Sequence, residues 1–198
     1  MTPDAAPRRW RTRAVLPVLA GGAVSIIGST QTWLDLALRD GAQLSLAVPG
    51  ASALPVLAPL SLAALALGLA LTIVGRVLRY VFGAIAVLMG AGLAVASLRI
   101  ALTMPIDAVV GTVTEATGLS GVEAAAGIVT TMALTPWPWV TAAAGLAVVA
   151  GGAIALVTGH RWAGAGRKYR QDAAPADGRP RDAVDSWDDL SRGEDPTR

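Results

Sequence analysis

Four stretches of the chain carry no Asp, Glu, Lys or Arg: Ala14 to Leu34, Gly41 to Gly75, Tyr80 to Leu98 and Ala124 to His160. A bilayer core about 30 Å thick is crossed by roughly 20 apolar residues at a helical rise of about 1.5 Å. Each stretch therefore predicts a transmembrane helix. The first is placed at residues 14–34 and the second at 54–75, where Pro55 falls in the first turn and removes no needed hydrogen bond. The third covers 80–98, so the turn at 76–79 makes a tight hairpin with the second. The fourth covers 136–159, with Thr135 as a cap and Pro136 at the first helical position. Between the first two spans lies a loop, 35–53, and before the fourth a longer one, 99–135. In the longer loop Ile106, Val109, Val110 and Val113 recur at helical spacing, which predicts a short amphipathic helix after Pro105. The predicted fold class is an all-α integral membrane protein with four transmembrane helices.

Composition agrees: of 198 residues 54% are hydrophobic and 15% charged, against about 25% charge in a soluble domain. The distribution of the cations sets an orientation. Arg8, Arg9, Arg11 and Arg13 (segment 1–13), Arg76 and Arg79 (turn 76–79), and Arg161, Arg167, Lys168 and Arg170 (segment 160–170) flank three of the span ends, while the two longer loops hold only Arg39 and Arg99 beside several acids. Cytoplasmic segments carry such an excess, so both termini are expected in the cytoplasm and the two loops outside; fifteen Arg against one Lys, with abundant Ala, Gly and Val, suggest a high-GC bacterial genome and so a bacterial plasma membrane. RRWRTR followed by an apolar run has the polarity of a signal peptide, but the run is long for one and no small-x-small cleavage site follows. An uncleaved first span is expected. Trp33, Trp137, Trp139 and Trp162, with Arg161, Arg167 and Lys168, are expected to anchor the ends of the spans at the membrane interface.

The chain has no cysteine and one histidine, His160, so no metal centre, disulfide or other cofactor is expected. None of the four spans contains an ionisable side chain, which argues against a proton-coupled pump or an intramembrane hydrolase. Polar residues gather in the outer half of the first span: Ser25, Ser29, Thr30, Gln31 and Thr32. Gly21, Ser25 and Ser29 recur every four residues, as do Ala143, Ala147, Gly151, Ala155 and Gly159 in the fourth span. Small-residue stripes let helix backbones approach closely, so these predict packing seams within one chain or in a homo-oligomer; the alternative is a face, with Gln31, that lines a path. Asp107, Glu115 and Glu123 are expected to be solvated surface charge. The basic segment 160–170 is expected to meet anionic lipid headgroups, and no nucleic-acid role is expected.

From Gln171 to Arg198 acids, Pro, Gly and Arg dominate, which predicts a disordered cytoplasmic tail. Ala183, Trp187 and Leu190 share a helical stripe, Ser186 and Asp189 approximate a capping box, and Gly193 follows as a stop. This is the pattern of a segment that folds on a partner with a buried aromatic anchor. Trp187, Leu190, Asp188, Asp189 and Arg192 are the predicted partner-binding residues. The ending SWDDLSRGEDPT, after four spans and a basic step, resembles the tryptophan-associated transmembrane protein family of high-GC bacteria. The resemblance implies a small membrane protein encoded among tryptophan-biosynthesis genes, with no activity or catalytic residue attached. The expected function is a non-enzymatic membrane adaptor that presents the tail to a cytoplasmic protein, such as a tryptophan-pathway enzyme; the alternative is a transporter or exporter of tryptophan or a related aromatic metabolite.

Overall fold

The computed structural model describes residues 5–39 and 45–161, with side-chain surroundings from Arg9 to Arg39 and from Ser45 to His160. In chain order the elements are α1 (Ala5–Thr30), β1 (Thr32–Leu38), β2 (Ser45–Pro49), α2 (Gly50–Ala53), α3 (Leu57–Ala70), α4 (Arg76–Thr103), α5 (Val110–Thr117), α6 (Val122–Ile128), β3 (Val129–Leu134) and α7 (Trp137–Thr158). A 3-10 turn, Ile106–Ala108, precedes α5, and another, Gly159–Arg161, ends the described chain.

Among the described residues three helices are long and apolar enough to cross a membrane: Arg9–Thr30, Arg76–Thr103 and Trp137–Thr158. The expected second span is shorter than drawn. Its helix has 14 residues, Leu57–Ala70, or about 21 Å at 1.5 Å per residue, short of a hydrocarbon core of about 30 Å. Pro55 does not sit in its first turn but in the bend that separates α2 from α3, where Leu54 N–H bonds Gly50 O and Leu57 N–H bonds Leu54 O. The predicted tail lies outside the described residues.

The helices are held by close backbone contact. At α1–α7, a Cβ placed on Gly21 would lie 2.5 Å from Ala144 O, and one on Gly151 2.6 Å from Ala14 O. At α4–α7, a Cβ on Gly90 would lie 2.7 Å from Gly145 O, and one on Gly152 2.8 Å from Gly83 O. Such small-residue seams replace the hydrophobic drive that is missing between helices in lipid. α3 lies against the other side of α1, Gly22 meeting Leu65 and Gly68 meeting Leu19. Of the predicted stripe in the last span, Gly151, Ala155 and Gly159 are buried, but Ala143 is exposed, because α7 packs along two faces rather than one.

The all-α expectation is corrected at the far end of the bundle. The loops predicted at 35–53 and 99–135 contain a three-stranded antiparallel sheet in the order β2-β1-β3. Leu34 pairs with Val48 and Leu134, and Leu36 with Leu46 and Met132, so one face is apolar. Asp35, Ala37, Thr131 and Ala133 are exposed on the strands. The buried face closes on Val109 and Val113 of the short amphipathic segment, on Ala125 of α6 and on Ile100 of α4. That segment covers the sheet. α4 runs past the expected end at Leu98 to Thr103 and stops because Pro105 disfavours helix at the preceding residue; Met104 takes φ 40°. The α5–α6 turn uses Gly118 (φ 72°) and Gly121 (φ 104°), conformations that side-chain-bearing residues resist.

Gly145→Val inserts atoms where a Cβ already meets Ala94 N at 2.7 Å, so it is expected to destabilise the bundle by about 1–3 kcal/mol. Gly92→Val, with nothing within 4 Å of its Cβ position, is expected to leave the unfolding midpoint nearly unchanged. Thermal unfolding of both variants in detergent checks the contrast.

Candidate functional site

The antiparallel seams bring the start of α1, the start of α4 and the end of α7 to one end of the bundle: Ala14 touches Gly151, and Gly83 touches Gly152 and Leu156. Arg9, Arg11, Arg13, Arg76 and His160 are exposed there. The Arg13 guanidinium stands 5.2 Å from the Trp10 ring centroid, a cation–π contact one helical turn apart. At the opposite end are the sheet and all the described acids: Asp35, Asp107, Glu115 and Glu123. Arg99 there is exposed and pairs with Asp107 at 3.4 Å, the sort of contact worth little on a surface.

Arg79 departs from its expected role as a mere topogenic charge in the turn. It is nearly buried, and donates to Gly159 O at 2.8 Å and to Val74 O at 3.2 Å. Those carbonyls end α7 and the segment after α3. The guanidinium fork thus satisfies a carbonyl at the C-terminus of α7, where positive charge is also favoured by the helix dipole, and one in the connection between α3 and α4.

Trp33 is likewise corrected. It is fully buried in the cap rather than placed at a membrane interface. Its Nε1–H donates to Gly28 O at 2.9 Å, satisfying a carbonyl in the last turn of α1. Gly50 seats against the same pair, its Cβ position 2.6 Å from both Gly28 O and Trp33 Nε1. Helix α1 stops at Thr30, where Ser29 and Thr30 hydroxyls bond Ile26 O and Ile27 O at 2.7 and 2.9 Å. Thr135 ties the cap to α7: its hydroxyl donates to Thr32 O at 2.6 Å and accepts from Trp137 N–H at 3.4 Å. Trp137 is half-buried against the cap cluster and Trp139 is exposed.

Of the predicted packing or path-lining residues, Gly21, Ser25, Ser29 and Gly151 are buried inside the bundle. Gln31 is at the rim, its amide donating to Thr30 Oγ1 at 3.3 Å. Ser97 on α4 and Thr141 on α7 are also fully buried; the four-residue stripe sought in the sequence did not include them. Arg161 closes the last 3-10 turn. Trp162, Arg167, Lys168, Trp187, Asp188, Asp189, Leu190 and Arg192 lie outside the described residues.

The family model for tryptophan-associated transmembrane proteins matches residues 15–197, nearly the whole chain and both ends of the pattern read from the sequence. The chain belongs to the tryptophan-associated transmembrane protein family. No curated protein and no solved structure matches it. Membership makes this a tryptophan-associated membrane protein, in keeping with its three long apolar helices.

Arg79→Ala leaves two carbonyls unpaired in a buried place and is expected to lower stability by about 2 kcal/mol, within the range for hydrogen bonds to a charged group. Arg79→Lys is expected to recover only part of it, since one ammonium lacks the fork that spans both carbonyls. Unfolding midpoints of the three proteins measure this.

Proposed function

We propose that this family member is a non-enzymatic membrane adaptor. Its bundle is a solid anchor in the bacterial plasma membrane, its sheet cap faces outward, and its cytoplasmic tail recruits a protein partner through Trp187 and Leu190, a tryptophan-pathway enzyme being the expected one. The observation that carries this reading is the closure of the seams. Gly21, Gly90, Gly145, Gly151 and Gly152 sit so close to neighbouring backbone that a single added carbon would fall within 2.8 Å of it. A bundle closed that tightly serves as a scaffold more readily than as a passage for an indole-sized solute. The transporter alternative draws on the buried hydroxyls of α1, and for one protomer the same seams count against it.

The orientation rests on the gathering of Arg9, Arg11, Arg13 and Arg76 at one end and of the acids at the other. On this view the shorter α3 follows α1 through the bilayer as a fourth span, its length deficit met by local thinning and by the apolar residues that follow it to Ile73. The basic residues near the end of α7 and Trp139 then lie at lipid headgroups.

Two expected outcomes test these points. The chain contains no cysteine, so a membrane-impermeant maleimide should label Ala133→Cys on intact cells, and Gly75→Cys only after the membrane is opened; the reverse pattern would sink the orientation. Tryptophan-pathway enzymes should co-purify with the full-length protein from membranes and be lost with Trp187→Ala. If the two proteins recover the same enzymes, or neither recovers any, while cells export an aromatic metabolite in proportion to the protein, the adaptor fails and the transporter stands.

A further inference from the structure

Several helical hydroxyls among the described residues are satisfied by their own helix. Ser29, Ser61, Thr103 and Thr158 each donate to a carbonyl three or four residues back, at 2.6 to 2.8 Å. Ser25, Ser97 and Thr141 break that habit. All three are fully buried, and their hydroxyl oxygens reach no hydrogen-bond partner among the described residues; Thr112 on α5 shares this but belongs to the cap, apart from the other three.

Their positions coincide in depth. Gly21 meets Ala144 and Val148, and Gly28 meets Thr141, so Ser25, between them on α1, stands level with Thr141. On the other flank Gly145 meets Gly90 and Ala94; Ser97, about one turn further out on α4, reaches the same level. The contacts of Gly22 with Leu65 and of Gly68 with Leu19 place Ser61 there too. α1, α3, α4 and α7 thus each contribute a buried hydroxyl at a similar depth. Towards the cationic end lies an apolar cluster built on Val18, Leu71 and Val148, and towards the other end the apolar core of the cap, built on Trp33 and Ile100.

A bare hydroxyl in a dry interior is unfavourable, and in hydrocarbon no bulk solvent repairs it. Three such groups at similar depth on three packed helices supply the polar partners, two to four, that an internal water needs. The neighbouring contacts limit the size of the occupant: a Cβ on Gly28 would lie 2.6 Å from Thr141 Oγ1. We infer that Ser25, Ser97 and Thr141 form an internal hydration site that holds ordered water between α1, α4 and α7, and that this water bridges α7 to both of its neighbours. The site is independent of the adaptor reading and of the tail.

The test uses the full-length protein in detergent or nanodiscs. Ser25→Ala, Ser97→Ala and Thr141→Val each remove one hydroxyl with little change of shape. If water is held there, each variant strands a hydrogen bond, and the unfolding midpoint is expected to fall by about 2–4 °C. If the hydroxyls are bare, their removal relieves a cost, and a midpoint unchanged or raised in any of the three overturns the site. A second measurement does not depend on variants folding. Radiolytic footprinting of the unaltered protein after transfer to heavy-oxygen water is expected to find slowly exchanging oxygen beside Ser25, Ser97 and Thr141. Absence of a slow component there also overturns the inference, whatever the midpoints show.

Discussion

The structure depends on the approach of α7 to α1 on one side and to α4 on the other at distances only glycine allows. In water, burial of apolar side chains would drive such helices together; in lipid the tails are as apolar as leucine, and association falls to dispersion and weak polar contacts that act only at short range. Gly21 and Gly151 bring α1 to α7, and Gly83, Gly90, Gly145 and Gly152 bring α4 to it. With those positions filled by larger residues the same helices would still cross a membrane, but nothing would hold their register.

Register is what the two ends then rely on. At the cationic end, Arg79 reaches Gly159 O only because α4 and α7 are aligned so that the start of one meets the finish of the other. At the capped end, the termination of α1, the entry to α7 and the middle strand meet within a few residues: Trp33 bonds Gly28 O, and Thr135 bonds Thr32 O. The sheet is small, and three short strands with a single apolar face are marginal alone. Here that face is covered by Val109, Val113 and Ile100, the last borrowed from a helix that begins at the opposite end of the bundle.

The polar layer and the closed seams describe one design. Glycines lie on both sides of α7 at several depths, and the hydroxyls occupy a single depth between two apolar clusters. A bundle packed this closely resists deformation, in keeping with the anchoring role proposed above.

The sequence alone determined the three long apolar spans and the gathering of cations, though not where each helix ends, because length without charge and the sign of flanking residues act locally and need no partner. It also carried the amphipathic spacing of Ile106, Val109, Val110 and Val113, and the small-residue periodicity of Gly21, Ser25 and Ser29. The strands were legible only in hindsight: Leu34, Leu36 and Leu38 alternate, as do Leu46 and Val48, and Met132 and Leu134, but each run is short and adjoins a longer apolar stretch whose helical period masks it. Trp33 could be read as an interface anchor because an aromatic at the end of a span usually is one; its burial depends on β3 returning from about a hundred residues away. The same holds for Arg79, Ser97 and Thr141. Their roles depend on which helices lie side by side, and that choice is made by long-range packing, which no local stretch of sequence contains.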